Sequence, residues 1–177
     1  MAFPNTELMK DRIIKWLKAD TTIYAKDNPQ GDPTKAHLKL TNIIFGVPEE
    51  KHWDNELAPF LSVTNASNFV PSSEFFGSVV DDAMTSQYVK IRFDLTLVVQ
   101  AFDAENTERN IDYLHTAVIN RILANVQLKD TNSDGSLDQA TAICETSRYA
   151  GSQELIASTQ IRKLFAYIIT FEIEVAT

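Results

Sequence analysis

Tyr88-Val-Lys-Ile-Arg-Phe-Asp-Leu-Thr-Leu-Val-Val-Gln-Ala-Phe102 is the stretch whose reading decides the fold. Val89, Ile91, Phe93, Leu95, Leu97, Val99 and Ala101 alternate in it with Lys90, Arg92, Asp94, Thr96 and Gln100. A period of two over that length predicts a long strand with one buried face and one wet face, because successive side chains leave a strand on opposite sides. The acidic, polar run Asp103-Ala-Glu-Asn-Thr-Glu108 follows, and the period then changes. Ile111, Leu114, Val118, Ile122 and Val126 fall at helical spacing, with Ile119 and Leu123 widening the stripe. A long strand feeding directly into an amphipathic helix is a packed layer unit rather than a catalytic motif.

The second clear strand is expected at the end of the chain. Phe165, Tyr167, Ile169, Phe171, Ile173 and Val175 share one face of a segment running from Ile161 to Val175, with Arg162, Thr170, Glu172 and Glu174 opposite. Leu164, Ala166 and Ile168 make its early part apolar on both sides, which predicts a covered, central position in a sheet. At the other end, Asn5 or Thr6 can cap a first helix, with Glu7 favourably placed in its first turn. Met9, Ile13, Trp16 and Leu17, widened by Ile14, form its apolar stripe, and the helix is expected to end near Asp20. Lys10, Arg12, Lys15 and Lys18 occupy the remainder and read as a solvated surface in preference to a nucleic-acid face.

Between these elements the order weakens. Thr21-Thr-Ile-Tyr24 is compatible with a short strand, and Pro29, Gly31, Pro33, Gly46 and Pro48 punctuate the region from 25 to 56. One strand is expected within Leu38 to Val47, and the whole segment reads as an arm or flap that meets another subunit. A further strand should start after Pro59 and run to Asn65. Phe69, Val70, Phe75 and Phe76 flank Pro71-Ser-Ser73 and fit either a satellite core or an exposed oligomer contact, and 77–87 reads as a loop. Beyond the long helix, Leu128 to Ser136 is a turn, Leu137 to Glu145 a plausible strand, Thr146 to Ser152 a connection, and Gly151 to Gln160 a short pairing strand or a loop. Together these elements predict a single α+β domain over 1–177: a mainly antiparallel sheet with two helices packed on one face.

Composition narrows the function. The chain has 177 residues, of which 44% are hydrophobic and 23% charged, and a formal net charge of −8. That charge opposes affinity for nucleic acid and for an anionic membrane surface. No apolar run is long enough to span a bilayer, and the first residues lack the basic and apolar regions of a secretory signal, so a cytoplasmic origin is expected. Cys144 is the single cysteine and reads as a small core residue. The chain shows no P-loop, dinucleotide glycine fingerprint, His-Glu-x-x-His or paired Cys-x-x-Cys, and with five glycines a phosphate-cradling loop is not expected. His37, His52 and His115 share no helical or strand spacing, and His115 reads as a residue flanking the helix stripe. Asp130-x-Asn132-x-Asp134-Gly135 reproduces the first half of a calcium loop, but Thr141 stands where a bidentate glutamate is needed, so the stretch is read as an Asx-rich turn. No catalytic, cofactor-binding or metal site is therefore assigned, and an enzyme is not expected.

Taken in order, the basic N-terminal helix, the strand Pro59-Phe-Leu-Ser-Val63, the long strand Val89 to Phe102 running into a helix that ends in Ile119-Asn-Arg-Ile-Leu123, and the closing Phe165-Ala-Tyr-Ile-Ile-Thr-Phe-Glu-Ile173 are together similar to the tail terminator, or tail-completion, proteins of long-tailed bacteriophages. The resemblance covers most of the chain in element order. It implies a non-enzymatic virion protein that forms a ring, usually a hexamer, on the finished tail tube, stops tube elongation and joins the head, with DNA passing through its lumen. The implied partners are further copies of the chain, the tail tube protein, a head-side connector or stopper, and a sheath where the tail has one. The implied location is the tail or neck of a virion, reached from the host cytoplasm. Another neck or baseplate adaptor of the same virion, and a small α+β hydrolase, are the competing readings. Trp53, Phe69, Phe75 and Phe76 are the candidate interface residues, because they put more apolar surface in turn-rich sequence than a loop needs.

Overall fold

The computed structural model describes residues 5–26, 39–47, 59–65, 72–75, 87–101, 104–158 and 163–176. Helix α1 spans Thr6–Lys18, and the Asn5 side chain caps it by accepting the Leu8 N–H at 3.0 Å. Strands β1 (Asn42–Phe45), β2 (Phe60–Asn65), β3 (Ser72–Phe75) and β4 (Gln87–Ala101) follow, then helix α2 (Ala104–Leu123) and strands β5 (Thr146–Ser158) and β6 (Lys163–Ala176). The strands form one sheet in the order β1-β2-β4-β6-β5, with β3 also paired to β4. β1 runs parallel to β2, and every other pairing is antiparallel. The fold is thus the expected α+β arrangement.

The register shows how the alternation in β4 becomes a core. Val63 of β2, Leu95 of β4 and Ile169 of β6 lie in one row across the sheet, and Leu61, Leu97 and Tyr167 lie in a row two residues away. Phe93 and Phe171 form the next row on the same face. All but Tyr167 are fully buried, beneath Met9, Ile13 and Leu17 of α1 and Ile111, Leu114, Val118 and Ile122 of α2. Both helices therefore cover one face. α1 packs over β1 and β2, and α2 over β4, β6 and β5. Among the described residues, the opposite face has a small apolar cluster of its own, where Phe60, Val98 and Ala166 share a row and are buried with Ile44 packed against them. This is the two-sided apolar character expected of the start of β6.

Several expectations are corrected, and others fall on residues outside those described. Thr21 to Tyr24 is a turn whose one ladder contact is a parallel bridge from Tyr24 to Leu40. The stripe of α2 stops before Val126, since the helix ends at Leu123 and Val126 is exposed. Leu137 to Glu145 is not a strand: Gln139–Thr141 forms a 3-10 turn, because the Asp138 carboxylate accepts the Ala140 N–H at 3.0 Å and the Thr141 hydroxyl donates to the Asp138 carbonyl at 2.8 Å. Thr146 to Ser152, expected as a connection, begins the 13-residue strand β5. Part of the Pro71-Ser-Ser73 region is the strand β3. Of the segment 25–56 expected to be an arm, residues 27–38 and 48–56 lie outside the described residues, and Asn42–Phe45 is built into the sheet as β1. The loop expected at 77–87 also lies outside them, apart from Gln87 at the start of β4.

Leu95 is 0% exposed between Val63 and Ile169. Leu95→Asp should therefore unfold the protein, because an unpaired carboxylate there costs several kcal/mol, about the whole stability of a domain. Loss of the cooperative transition in urea, followed by circular dichroism, checks this. A Leu95→Asp protein that unfolds at the wild-type midpoint would contradict the assigned core.

Candidate functional site

Among the described residues, three clusters of paired polar side chains bear on the question of a site. On the face away from the helices, Lys90 and Arg92 of β4, Glu172 and Glu174 of β6 and Arg148 of β5 form a cross-strand ladder. The Glu172 carboxylate is buried, yet it accepts Arg92 Nε at 3.0 Å and pairs with the Arg148 guanidinium. Lys90 and Arg148 both reach Glu174, at 3.8 and 4.0 Å. Burial opposes ionisation of Glu172, and the hydrogen bonds from Arg148 and Arg92 outweigh it, so its pKa lies below the ordinary carboxylate range. Asp94 continues this face, accepting the Thr170 hydroxyl at 2.7 Å.

The second cluster joins α2 to β5 and β6. His115 Nε2 lies 2.7 Å from Ser152 Oγ, which also accepts the Tyr149 hydroxyl at 2.8 Å. The His115 ring stacks on Tyr167 with centroids 4.4 Å apart, and the Tyr167 hydroxyl donates to Asp112 at 3.3 Å. A β-bulge between Tyr149 and Gly151, with Gly151 at φ 139°, makes this possible. Residues three apart in an unbroken strand point to opposite faces. The bulge inserts Ala150, so Tyr149 and Ser152 point to the same face. Burial lowers the pKa of His115 below its ordinary value against the opposing charge of Asp112, which favours the neutral imidazole. A serine beside a histidine is the start of a nucleophilic arrangement. Here, however, Ser152 is exposed on the edge strand, and the nearby Asp112 carboxylate is bonded to Tyr167 instead of orienting the imidazole. The cluster serves to pin α2 to the sheet edge. Sequence reading missed it because the bulge that aligns Tyr149 with Ser152 leaves no periodic signal.

The third cluster contains the calcium-like stretch. Asp130 pairs with Lys15 at 2.5 Å and Arg12 at 3.4 Å, so its carboxylate closes the loop onto α1. Asp134 accepts the N–H and hydroxyl of Ser136, and Thr141, at the position where a metal ligand would be needed, accepts the Asp130 N–H at 2.8 Å. These oxygens are spent on an Asx-rich turn. Beside it the Trp16 indole donates to the Arg121 carbonyl at 2.7 Å, and the Arg121 guanidinium sits 3.4 Å from the indole ring centroid, tying α1 to the end of α2. Cys144 is buried, its thiol lies 3.4 Å from the Val126 carbonyl, and burial pushes its pKa up to about 12, which keeps it an un-ionised core group.

Of the four candidate interface aromatics, Phe75 closes β3 opposite Gln87. Trp53, Phe69 and Phe76 lie outside the described residues. Among the described residues the exposed large apolar side chains are Leu8 on α1, Phe45 and Val47 at the β1 end of the sheet, Leu123 and Val126 at the end of α2, and Tyr149 and Leu155 on β5. No protein-family model matches the chain, and no curated protein matches it. Among solved structures it is similar to a chain described as "Virion of native gene transfer agent (GTA) particle", with a TM-score of 0.44 and 9% identity over 98% of this chain and 99% of that one.

The Glu172 ladder gives a pH signature. Because the folded-state pKa is below the ordinary 4.5, the stabilisation from ionised Glu172 is complete above that value and is lost as pH falls through the lower, folded one. Glu172→Gln should cost roughly 1–3 kcal/mol at neutral pH, the scale of hydrogen bonds to charged groups. Urea unfolding of both proteins over a pH series checks this: the difference should shrink as the pH is lowered below the ordinary glutamate value. A difference that stays unchanged as the pH falls would contradict the ladder.

Proposed function

We propose that this protein is a non-enzymatic structural component of a phage-like virion, and that it acts as a tail terminator: a ring, of six subunits, that caps the finished tail tube and presents a joining face to the head. The observation that carries this reading is the element order noted in the sequence and realised in the fold. A basic N-terminal helix and the helix after the long strand cover one face of a mostly antiparallel sheet, which β5 and β6 close as an antiparallel pair. The chemistry is in keeping with it, because Glu172, Asp130 and Asp112 are engaged in internal contacts that hold the fold. A ring also suits the geometry of the sheet. Its end strands β1 and β5 are different surfaces, so a contact from one to the other is heterologous, and a heterologous contact that closes leaves no end to propagate. The net charge of −8 suits a lumen through which DNA slides without being gripped.

On this reading the partners are the tail tube protein on one side of the ring and a connector or stopper on the other. The segment 25–56, with Trp53, and the aromatics Phe69, Phe75 and Phe76 are assigned to contacts between subunits or with the tube. Electron microscopy of particles made without this protein tests the role. Tails should lose length control and fail to join heads. Tails of normal length attached to filled heads would overturn the terminator reading and favour an adaptor elsewhere in the neck or baseplate.

A further inference from the structure

The turn between α2 and β5 contains two links prone to cyclisation. Of the chain's five glycines only Gly135 follows an aspartate or an asparagine, and Asn132-Ser133 is its one Asn-Ser pair. In both links the second residue is small, so its main-chain nitrogen can approach the Cγ of the residue before it. A bond from that nitrogen to Cγ closes a succinimide ring. Asp134 expels water in doing so, and Asn132 expels ammonia. Addition of water then reopens the ring to aspartate or to isoaspartate. Residues 132–136 are all exposed, so water reaches both links. The turn nevertheless calls for this sequence: Gly135 has φ 84°, a left-handed conformation that favours glycine, and Asn132 and Asp134 supply the side-chain bonds of the turn.

We propose that Asn132 and Asp134 are sites of spontaneous covalent modification and that Ser136 guards both, by holding their side chains so that neither ring can close. The Ser136 N–H and hydroxyl both donate to Asp134 Oδ1, at 2.9 and 2.6 Å. The same hydroxyl oxygen accepts Asn132 Nδ2 at 3.0 Å, and the Ser136 carbonyl accepts the Asn132 N–H at 2.8 Å. Each reactive side chain is thus fixed on Ser136 instead of being free to rotate on to the next main-chain nitrogen. One of the attacking nitrogens is also engaged: the Gly135 N–H donates to the Asn132 carbonyl at 3.0 Å, and that proton must leave before the nitrogen can attack. The bonds from Ser136 hold the Asp134 carboxyl below the usual carboxylate range, and an ionised carboxylate is a poorer electrophile than the neutral acid. The bridge between Thr131 and Leu137, and the Asp138 N–H on the Asp130 carbonyl at 2.8 Å, close the turn from below. An isoaspartyl link would add a main-chain carbon inside this turn, between the paired Asn132 and Ser136. Asp130 at its base pairs with Lys15 and Arg12, so damage at the tip bears on the attachment of α1.

Ageing of the purified protein at neutral pH and physiological temperature tests this, read by peptide mass spectrometry of the stretch that contains Asn132 and Asp134. Deamidation of Asn132 appears as the amide-to-acid gain in mass, and isoaspartate at Asp134 as a peptide of unchanged mass and shifted retention. The samples are native wild type, wild type unfolded in guanidinium, Ser136→Ala and Ser136→Thr, with both variants first shown to be folded by circular dichroism. Both links should age more slowly in native wild type than in the unfolded chain. Ser136→Ala should age about tenfold faster than native wild type, the factor that goes with loss of a hydrogen bond to a charged group. Ser136→Thr keeps the hydroxyl and should age as wild type does. Native wild type that ages as fast as the unfolded chain would overturn the proposal, and that comparison needs no substitution. A folded Ser136→Ala that ages as slowly as wild type, or a Ser136→Thr that ages as fast as Ser136→Ala, would overturn it as well.

Discussion

The antiparallel pairing of β4 with β6 is the constraint on which the rest of the structure depends. Fourteen residues of each strand are in register, from Tyr88 opposite Ala176 to Ala101 opposite Lys163. That register places Phe93 against Phe171 and Leu95 against Ile169, and a slip by one residue would turn these side chains to the wrong face. β2 and β3 then attach to the free side of β4, and β5 to the free side of β6. The helices bury what the two long strands present. Residues that pair here are far apart along the chain, as Arg92 and Glu172 are, so the core closes only when the middle of the sequence and its last segment are brought together.

Once the sheet is formed, several chemistry-bearing side chains are committed to holding it. Glu172 ties three strands through two arginines, His115 and Ser152 tie α2 to the edge strand, and Asp130 ties the loop after α2 back to α1. A catalytic group has to meet a substrate with its lone pairs or protons available. These groups spend theirs internally. The arrangement suits a part that must keep its shape within a larger assembly, which is the role proposed for it.

The elements legible in the sequence were those with an unbroken period. The alternation from Ile91 to Val99, the stripe from Ile111 to Ile122 and the capped helix from Thr6 emerged as read, because one face of each is continuously buried. β5 was read only as an end fragment. It is an edge strand wet along much of its length, and its bulge shifts the alternation by one at Ala150. Leu137 to Glu145 misled in the opposite sense: its apparent alternation is overridden by Asp138 and Thr141, which bond to nearby backbone and close a tight turn. The link between His115 and Ser152 was invisible for the same reason as β5, since it depends on the bulge. The exposed Phe45, Val47 and Leu155 could not be told from core residues, because a sequence does not say which strands lie at the ends of a sheet.

Hydrogen exchange of the isolated protein tests the central claim most directly. The amides of β4 and β6 where the two strands pair should be the most protected, and those on the outer sides of β1 and β5 should exchange faster. Exchange in β4 as fast as at the sheet edges would contradict an account in which the β4–β6 pair is the centre on which the rest of the sheet is built.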